Sequence, residues 1–437
     1  MIKHGRKWIA AGLILMSLPL AAQEKPEVWN LKSCIDYARE RNIQIRKSRL
    51  ALEESVESRQ EAKSQRLPSL AFSSSHNYVN RPCIEVGDKN TYSGSYDLNS
   101  SVTLYQGGRL KKNLQQMDLQ NQVQELAIEE AEDNIELAIT QAFLQLLYAN
   151  ETVKINENTV AVSQAQRDRG RELMNAGSLS QADFAQLESQ YTSDKYQLVV
   201  AQNALADARL DLKQLLELGI GDSMQLAIPE LSDEDVLVAL PTKENVYLAS
   251  LGIRPEVKYN QLNIKIAGVE KEKAWAGYLP SLRLSAGLGT NHLSGNPWGS
   301  QMKHNWSESV GLTLSVPIFS NRSNKTAVNL AQLNIERAEL NYENVQKDLL
   351  KSIENVYQAA VSAQERYRSA QENLKAVELS FSLTQEQFFL GMRNPLEMLT
   401  EQNNLLSARL ESVQAKYMAV LNIQLLNFYQ GKEIVVE

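Results

Sequence analysis

Two hydrophobic rhythms alternate along this 437-residue chain. Between Leu110 and Asn175, and again between Asn324 and Leu390, apolar residues step by four and three. The first stretch holds a single glycine, Gly170, and no proline; the second holds neither. This pattern predicts two helices of roughly 65 residues, about 100 Å long at 1.5 Å per residue and several times the usual globular length. Such helices persist only where a long seam is buried against neighbours. The seam Leu349, Ile353, Val356, Ala360 keeps the required spacing. Its flanks are Gln, Asn, Ser and small residues, which suits packing on two sides.

The second rhythm has period two. Leu70, Phe72, His76 and Tyr78 alternate with Ala71, Ser73, Ser75 and Asn77, and Tyr92, Gly94, Tyr96, Leu98, Val102 and Leu104 alternate with polar neighbours. The design returns at Leu282, Leu284, Ala286 and Leu288, then at Trp306, Val310, Leu312, Leu314, Val316 and Ile318. Such alternation sets one face in apolar surroundings and the other in water. Strands of about 9–11 residues match an outer membrane crossed by a tilted barrel. Aromatic residues mark both ends: Trp275, Tyr278, Tyr105 and Phe319 on the helix side, Tyr78, Tyr92, Trp298 and Trp306 on the loop side. They fit two interfacial girdles. A fibrous coiled coil would have no use for these strands, and a soluble sandwich would leave their edges bare.

The two rhythms are written twice. Arg66-Leu67-Pro68-Ser69-Leu70 returns as Tyr278-Leu279-Pro280-Ser281-Leu282. Ile135, Ile139, Ala142 and Leu146 return 214 positions on as Leu349, Ile353, Val356 and Ala360, and Gly177 and Asp183 return as Gly391 and Glu397. One duplicated unit is expected to build a pseudo-symmetric object, with repeats at 23–242 and 243–437 and strand hairpins at about 68–105 and 280–319.

Four strands cannot close a barrel. Two chains would give eight strands, whose interior side chains nearly fill it; three give twelve, with room for a passage lined by the small polar face.

Lys3, Arg6 and Lys7, the apolar run Trp8–Leu20 and the small Ala21 and Ala22 read as a secretory signal peptide over residues 1–22. Its removal takes the formal net charge from −7 to −10. An acidic chain without basic clusters argues against nucleic acid. No later stretch approaches 18 consecutive apolar residues, so a membrane span would have to be made of strands. The two cysteines, Cys34 and Cys83, fall in segments of different periodicity, which gives no reason to pair them.

Long paired helices, two strand hairpins, the Leu-Pro-Ser-Leu turn and the internal repeat together resemble the TolC family of outer-membrane efflux ducts, from about Trp29 to Gly431. Asn42-Ile43-Gln44-Ile45 and Arg254-Pro255-Glu256-Val257 are similar to the family's Asn/Arg-Pro motif. Leu104-Tyr105-Gln106-Gly107-Gly108-Arg109 is similar to its strand-to-helix turn; the second copy, Pro317-Ile318-Phe319-Ser320-Asn321-Arg322, departs from it. With no cysteine beside the cleavage site, the chain is similar to the unlipidated branch.

The resemblance implies an α+β membrane protein. A homotrimer would place a twelve-stranded β-barrel in outer-membrane lipid, four strands per chain, continued by an α-helical barrel through the periplasm. It implies two partners, a periplasmic adaptor (membrane fusion protein) and an inner-membrane pump, here expected to be of the RND type, with small molecules or drugs as cargo. An exit duct for an ABC-driven protein exporter is the alternative within transport; a non-conducting coiled-coil envelope protein is the alternative outside it.

The glycine turns at 174–183 and 388–399 should be the periplasmic tips, with Gly177, Ser178, Gly391 and Met392 facing the adaptor. The resemblance further implies a charged latch between Asp183 and Arg393, and an inner carboxylate ring that maps onto Glu397, with Glu401 beside the neutral Thr400 at its second position. The hydroxyl expected near the latch falls on Phe388, which has none. No HExxH, GxSxG, P-loop or CxxC pattern occurs. His76, His292 and His304 have no carboxylate or cysteine at ligand spacing. No catalysis, cofactor or metal is expected.

Overall fold

A computed structural model describes residues 28–83, 85–229, 231–295 and 297–436; the expected signal peptide lies outside them. In chain order the elements are α1 (Leu31–Arg41), α2 (Ile43–Ser64), β1 (Ser69–Asn80), β2 (Asn90–Gln106), α3 (Arg109–Asn175), α4 (Gln181–Leu215) and α5 (Asp233–Val236). There follow α6 (Lys243–Ile253), α7 (Pro255–Trp275), β3 (Ser281–Leu293), α8 (Trp298–His304), β4 (Ser307–Ser315), α9 (Ser323–Phe389) and α10 (Pro395–Tyr429). The duplication is exact in length where the register is unbroken: α3 and α9 have 67 residues each, α4 and α10 have 35.

Junction chemistry sets the breaks. Asn30 caps α1 in a capping box with Ser33, and Asn42 caps α2 by accepting from the Gln44 amide at 2.8 Å. Both long helices begin from left-handed backbone. In the first copy this is Gly107 (φ 58°) and Gly108 (φ 80°); in the second it is Asn321 (φ 46°) and Arg322 (φ 66°). The second turn therefore lost its glycines and kept the conformation, at a cost of about 1–2 kcal/mol for a residue with a Cβ.

The four strands form one antiparallel sheet in the order β1-β2-β3-β4. Phe72 pairs with Leu98, Leu98 with Leu288, Ala286 with Val310 and Leu284 with Leu312, so the apolar positions of all four strands share a face. Ser73, Asp97 and Gly289 form one row of the opposite face, and Ser101 and Ser285 pair in another. A bulge at Thr103–Tyr105 shifts the register near the helix end. Both edges are open, and every residue of β1 is exposed. Among the described residues no helix is long and apolar enough to cross a membrane.

Two differences from the sequence expectation, both in the strands, have physical causes. β4 stops at Ser315 rather than Ile318, two residues before Pro317, which has no N–H for a ladder. β3 runs on to Leu293, because its outer half is covered by α8, an element the alternation did not predict. The cysteines are free: Cys34 is buried in α1, where burial pushes its thiol up to about 12, and Cys83 is exposed.

The helices pack α3 against α4, α9 against α10, and α2 and α7 alongside them. Ile139 and Leu146 of α3 are fully buried beside Phe143, Leu212, Tyr367 and Val420; Leu349, Ile353 and Ala360 of α9 bury against Val246, Val257 and Leu426. These are the seam positions read from the spacing.

Candidate functional site

At the end opposite the sheet, α3 and α9 each stop in the same turn. Gly177 (φ 76°) donates to Met174 O at 3.0 Å and Ser178 donates to Leu173 O at 2.8 Å; Gly391 (φ 75°) donates to Phe388 O at 3.0 Å and Met392 to Gln387 O at 2.8 Å. This is a Schellman closure at both tips, and only glycine adopts its backbone without strain. The next helices start alike. Ser180 Oγ accepts from the Asp183 amide at 3.1 Å, and Asn394 Oδ1 accepts from the Glu397 amide at 2.9 Å, with Pro395 in the first turn. Gly177, Ser178, Gly391 and Met392 are all exposed.

Beneath the turns Leu187, Phe388, Met398 and Leu399 form a small core with Leu179, tying both hairpins into one end. Phe388 is buried in it. Gly170 faces this packing: a Cβ there would stand 2.4 Å from Leu187 Cδ1. That close approach accounts for the one glycine in α3.

The charged residues expected at the tip are engaged locally. Asp183 Oδ2 accepts from Ser180 Oγ at 2.7 Å. Arg393 donates from Nε to Gln387 Oε1 at 3.0 Å and from Nη1 to Glu397 Oε2 at 3.2 Å. Glu401 accepts from Ser380 Oγ at 3.0 Å. The chain thus joins Arg393 to Glu397 rather than to Asp183: Arg393 stands in the tip turn just before the Asn394 cap and reaches forward to the first turn of α10.

Sequence reasoning missed a polar stretch of seam above the tip. Asn156, Thr159, Ser163 and Gln166 of α3 are buried at helical spacing. Asp194 of α4 is buried among them, accepting from Gln190 Nε2 at 2.8 Å and Gln402 Nε2 at 3.3 Å. Burial pushes its carboxyl up, and hydrogen bonds from Ser163 and Gln190 partly offset this. The signal was present as a run of polar residues at the positions that hold Ile139, Phe143 and Leu146 further up the same helix.

A duplicated chain whose sheet has one apolar face and two open edges, continued by helices of about 100 Å that end in paired capped tips, defines a class: one segment of a β-barrel joined to an α-helical barrel. The chain belongs to the outer membrane efflux protein family, whose profile matches residues 34–217 and again 247–431. That membership puts the sheet in the outer membrane and the long helices in the periplasm.

Among relatives, it is 23% identical to the outer membrane protein TolC of Escherichia coli K12, over 94% of this chain and 84% of TolC. It is 23% identical to the proteases secretion protein PrtF of Dickeya chrysanthemi, over 72% of this chain and 65% of PrtF. In fold it is similar to the crystal structure of CusC, with a TM-score of 0.78 and 19% identity over 94% of this chain and 96% of that one. Among the described residues no three His, Cys, Asp or Glu side chains gather to hold a metal ion.

Proposed function

We propose that the chain is the outer-membrane exit duct of a tripartite efflux system, assembled from two repeats, 23–242 and 243–437, in each of three copies. The observation that carries the proposal is the sheet with its bare edges: β1 pairs only with β2 and β4 only with β3 among the described residues, so each leaves one edge free, and three copies joined edge to edge would give a closed barrel of twelve strands. The row of Ser, Asn and Gly on its polar face would line a water-filled passage. Cargo would be small molecules or drugs, delivered by an RND-type inner-membrane pump through a periplasmic adaptor. The chain holds no nucleotide motif, so the driving energy comes from the pump.

In this reading the paired tips are the periplasmic gate. Gly177, Ser178, Gly391 and Met392 present the surface for the adaptor. Glu397 forms the carboxylate ring at the constriction, with Glu401 a turn above, and the ring concentrates negative potential in a narrow path. A latch between Asp183 and Arg393 would act between neighbouring hairpins of the trimer, with Arg393 exchanging its Glu397 contact for Asp183.

The similarity to PrtF supports a second reading, a duct for an ABC-driven exporter with polypeptide cargo. In-cell photocrosslinking from probes at Ser178 and Met392, with mass spectrometry of the trapped proteins, tests both. Capture of an adaptor with a proton-driven pump is the expected result; an ABC exporter would establish the second reading. Absence of any adaptor, together with no conductance in planar bilayers, would sink both in favour of a structural envelope protein.

A further inference from the structure

Two histidines that sequence spacing kept 216 positions apart meet on the sheet. His76 of β1 pairs with Gly94 of β2, and Gly94 pairs with His292 of β3, so the three form one row across the strands on the apolar face. Both imidazoles lean into the space that Gly94 leaves open. A Cβ on Gly94 would stand 2.8 Å from His76 Nδ1 and 2.9 Å from His292 Nδ1. Two ring nitrogens therefore converge on one point above the middle strand. Tyr92 Oη lies 2.9 Å from His76 Nδ1 and adds an oxygen to the group.

The surroundings enclose one of the two rings. His292 is only 7% exposed, and its Nδ1 has no hydrogen-bond partner among the described residues. Tyr96 stacks beside it at 6.2 Å and Trp298 closes the far side at 6.3 Å. Trp298 belongs to α8, which is fastened over the strand end by Thr290 Oγ1 donating to Met302 O at 2.8 Å and by Gln301 Nε2 donating to Leu293 O at 2.7 Å. A buried imidazole nitrogen without a partner is the exception in a folded protein. A glycine inside a strand weakens it and often marks a close approach. The glycine admits the ring edge of His292, whose Cε1 would stand 2.3 Å from a Cβ there; the unpaired Nδ1 beside it is what a ligand would satisfy.

We infer that His76, His292 and Tyr92 form a binding site for a divalent late transition-metal ion, of which Cu²⁺ is the strongest-binding candidate. Imidazole nitrogen with a phenol oxygen suits Cu, Ni and Zn, and affinity along that series peaks at copper. Metal–nitrogen bonds of about 2.0–2.1 Å require a modest turn of the exposed His76 ring toward His292. The site lies on the face turned away from the polar one, so the ion is a clamp and not cargo. It ties the open edge strand β1 to β3 across β2, beneath α8, where the barrel meets its outer loops. Linear spacing hides the site, because its ligands come from three strands and include no carboxylate or cysteine.

The test uses the full-length protein in detergent, without a polyhistidine tag, titrated with Cu²⁺ alone and followed by electron paramagnetic resonance. The expected result is one Cu²⁺ per chain with hyperfine coupling to two imidazole nitrogens. Affinity should fall at least tenfold in His76→Ala and in His292→Ala. His76 is exposed on an edge strand, so its variant tests the site even where His292→Ala fails to assemble. Gly94→Ala keeps every ligand and fills the cradle, and should weaken binding similarly; His304→Ala should not. Fewer than one ion per chain, or an affinity that His76→Ala leaves unchanged, overturns the proposal.

Discussion

Arg254 Nη1 lies 3.3 Å from Asp133 Oδ2, an ion pair that joins the start of α7 to the middle of α3. The guanidinium is 8% exposed, also pairs with Glu256 at 3.1 Å, and lies over the Phe428 ring at 4.3 Å. At the matching junction of the first repeat stands Asn42, which caps α2 and donates from Nδ2 to Leu215 O at 3.1 Å. Arg254 cannot accept a hydrogen bond and so cannot cap its helix. The second repeat has exchanged a local cap for a bond between elements.

Removing that cation should be costly. Arg254→Met leaves Asp133 and Glu256 facing each other with only the more distant Arg39 as counter-charge, and Glu256 Oε2 already lacks a partner among the described residues. A broken buried pair costs about 3–5 kcal/mol. The expected outcome is a lower melting temperature by circular dichroism, largely recovered in Arg254→Met/Asp133→Asn.

The same carboxylate gives a pH dependence with a definite sign. Burial pushes the Asp133 carboxyl up to about 6, against the opposing pull of Arg254. The folded chain therefore holds this proton more tightly than the unfolded one. Stability from this group is fully present below about pH 4 and is lost as pH rises through about 6, by on the order of 1–3 kcal/mol. Asp133→Asn should flatten the melting temperature across that window. An unchanged slope would show that Asp133 ionises as an exposed carboxylate does.

The tips make a symmetrical prediction. Nothing lies within 4 Å of a Cβ placed on Gly177 or Gly391, so alanine there meets backbone strain alone. Each substitution should cost about 1–2 kcal/mol and should open the last turn of its own helix. Hydrogen exchange of peptides from 168–178 and 382–392 reads the two events separately. Equal loss at both tips from one substitution would mean that they open as a unit.

Much of the architecture could be read from the chain because it is set by local rules repeated over many residues. Helix length follows from the lack of Gly and Pro between Asn324 and Leu390, and the strand faces follow from strict alternation. The 214-residue offset holds from α3 to α9 and from α4 to α10, which match pair by pair in length and starting position. What could not be read depends on contacts between distant segments. Trp298 packs on His292, Arg254 reaches Asp133, and Gly170 accommodates Leu187, none of them visible in spacing. At the tip, residue types were legible but pairings were not: Arg393, in the turn before α10, takes Glu397 of that helix's first turn, a contact set by the turn's geometry.

The polar part of the α3 seam supplies the last prediction. Gln166 is 2% exposed with neither amide atom hydrogen-bonded among the described residues, and Gln402 Oε1 is likewise unpaired. An unsatisfied buried polar group costs about 1–3 kcal/mol, so a seam held only for stability would carry leucine here, as it does at Leu146. Polar seam residues exchange stability for a specific or movable register. Gln166→Leu should therefore stabilise the lower helical barrel by about 1–3 kcal/mol and slow hydrogen exchange in α3 and α4. If these helices move when the duct opens, the same substitution should lower conductance in planar bilayers. Stabilisation with unchanged conductance would mean that the moving element lies elsewhere, in the tip core of Leu187, Phe388, Met398 and Leu399.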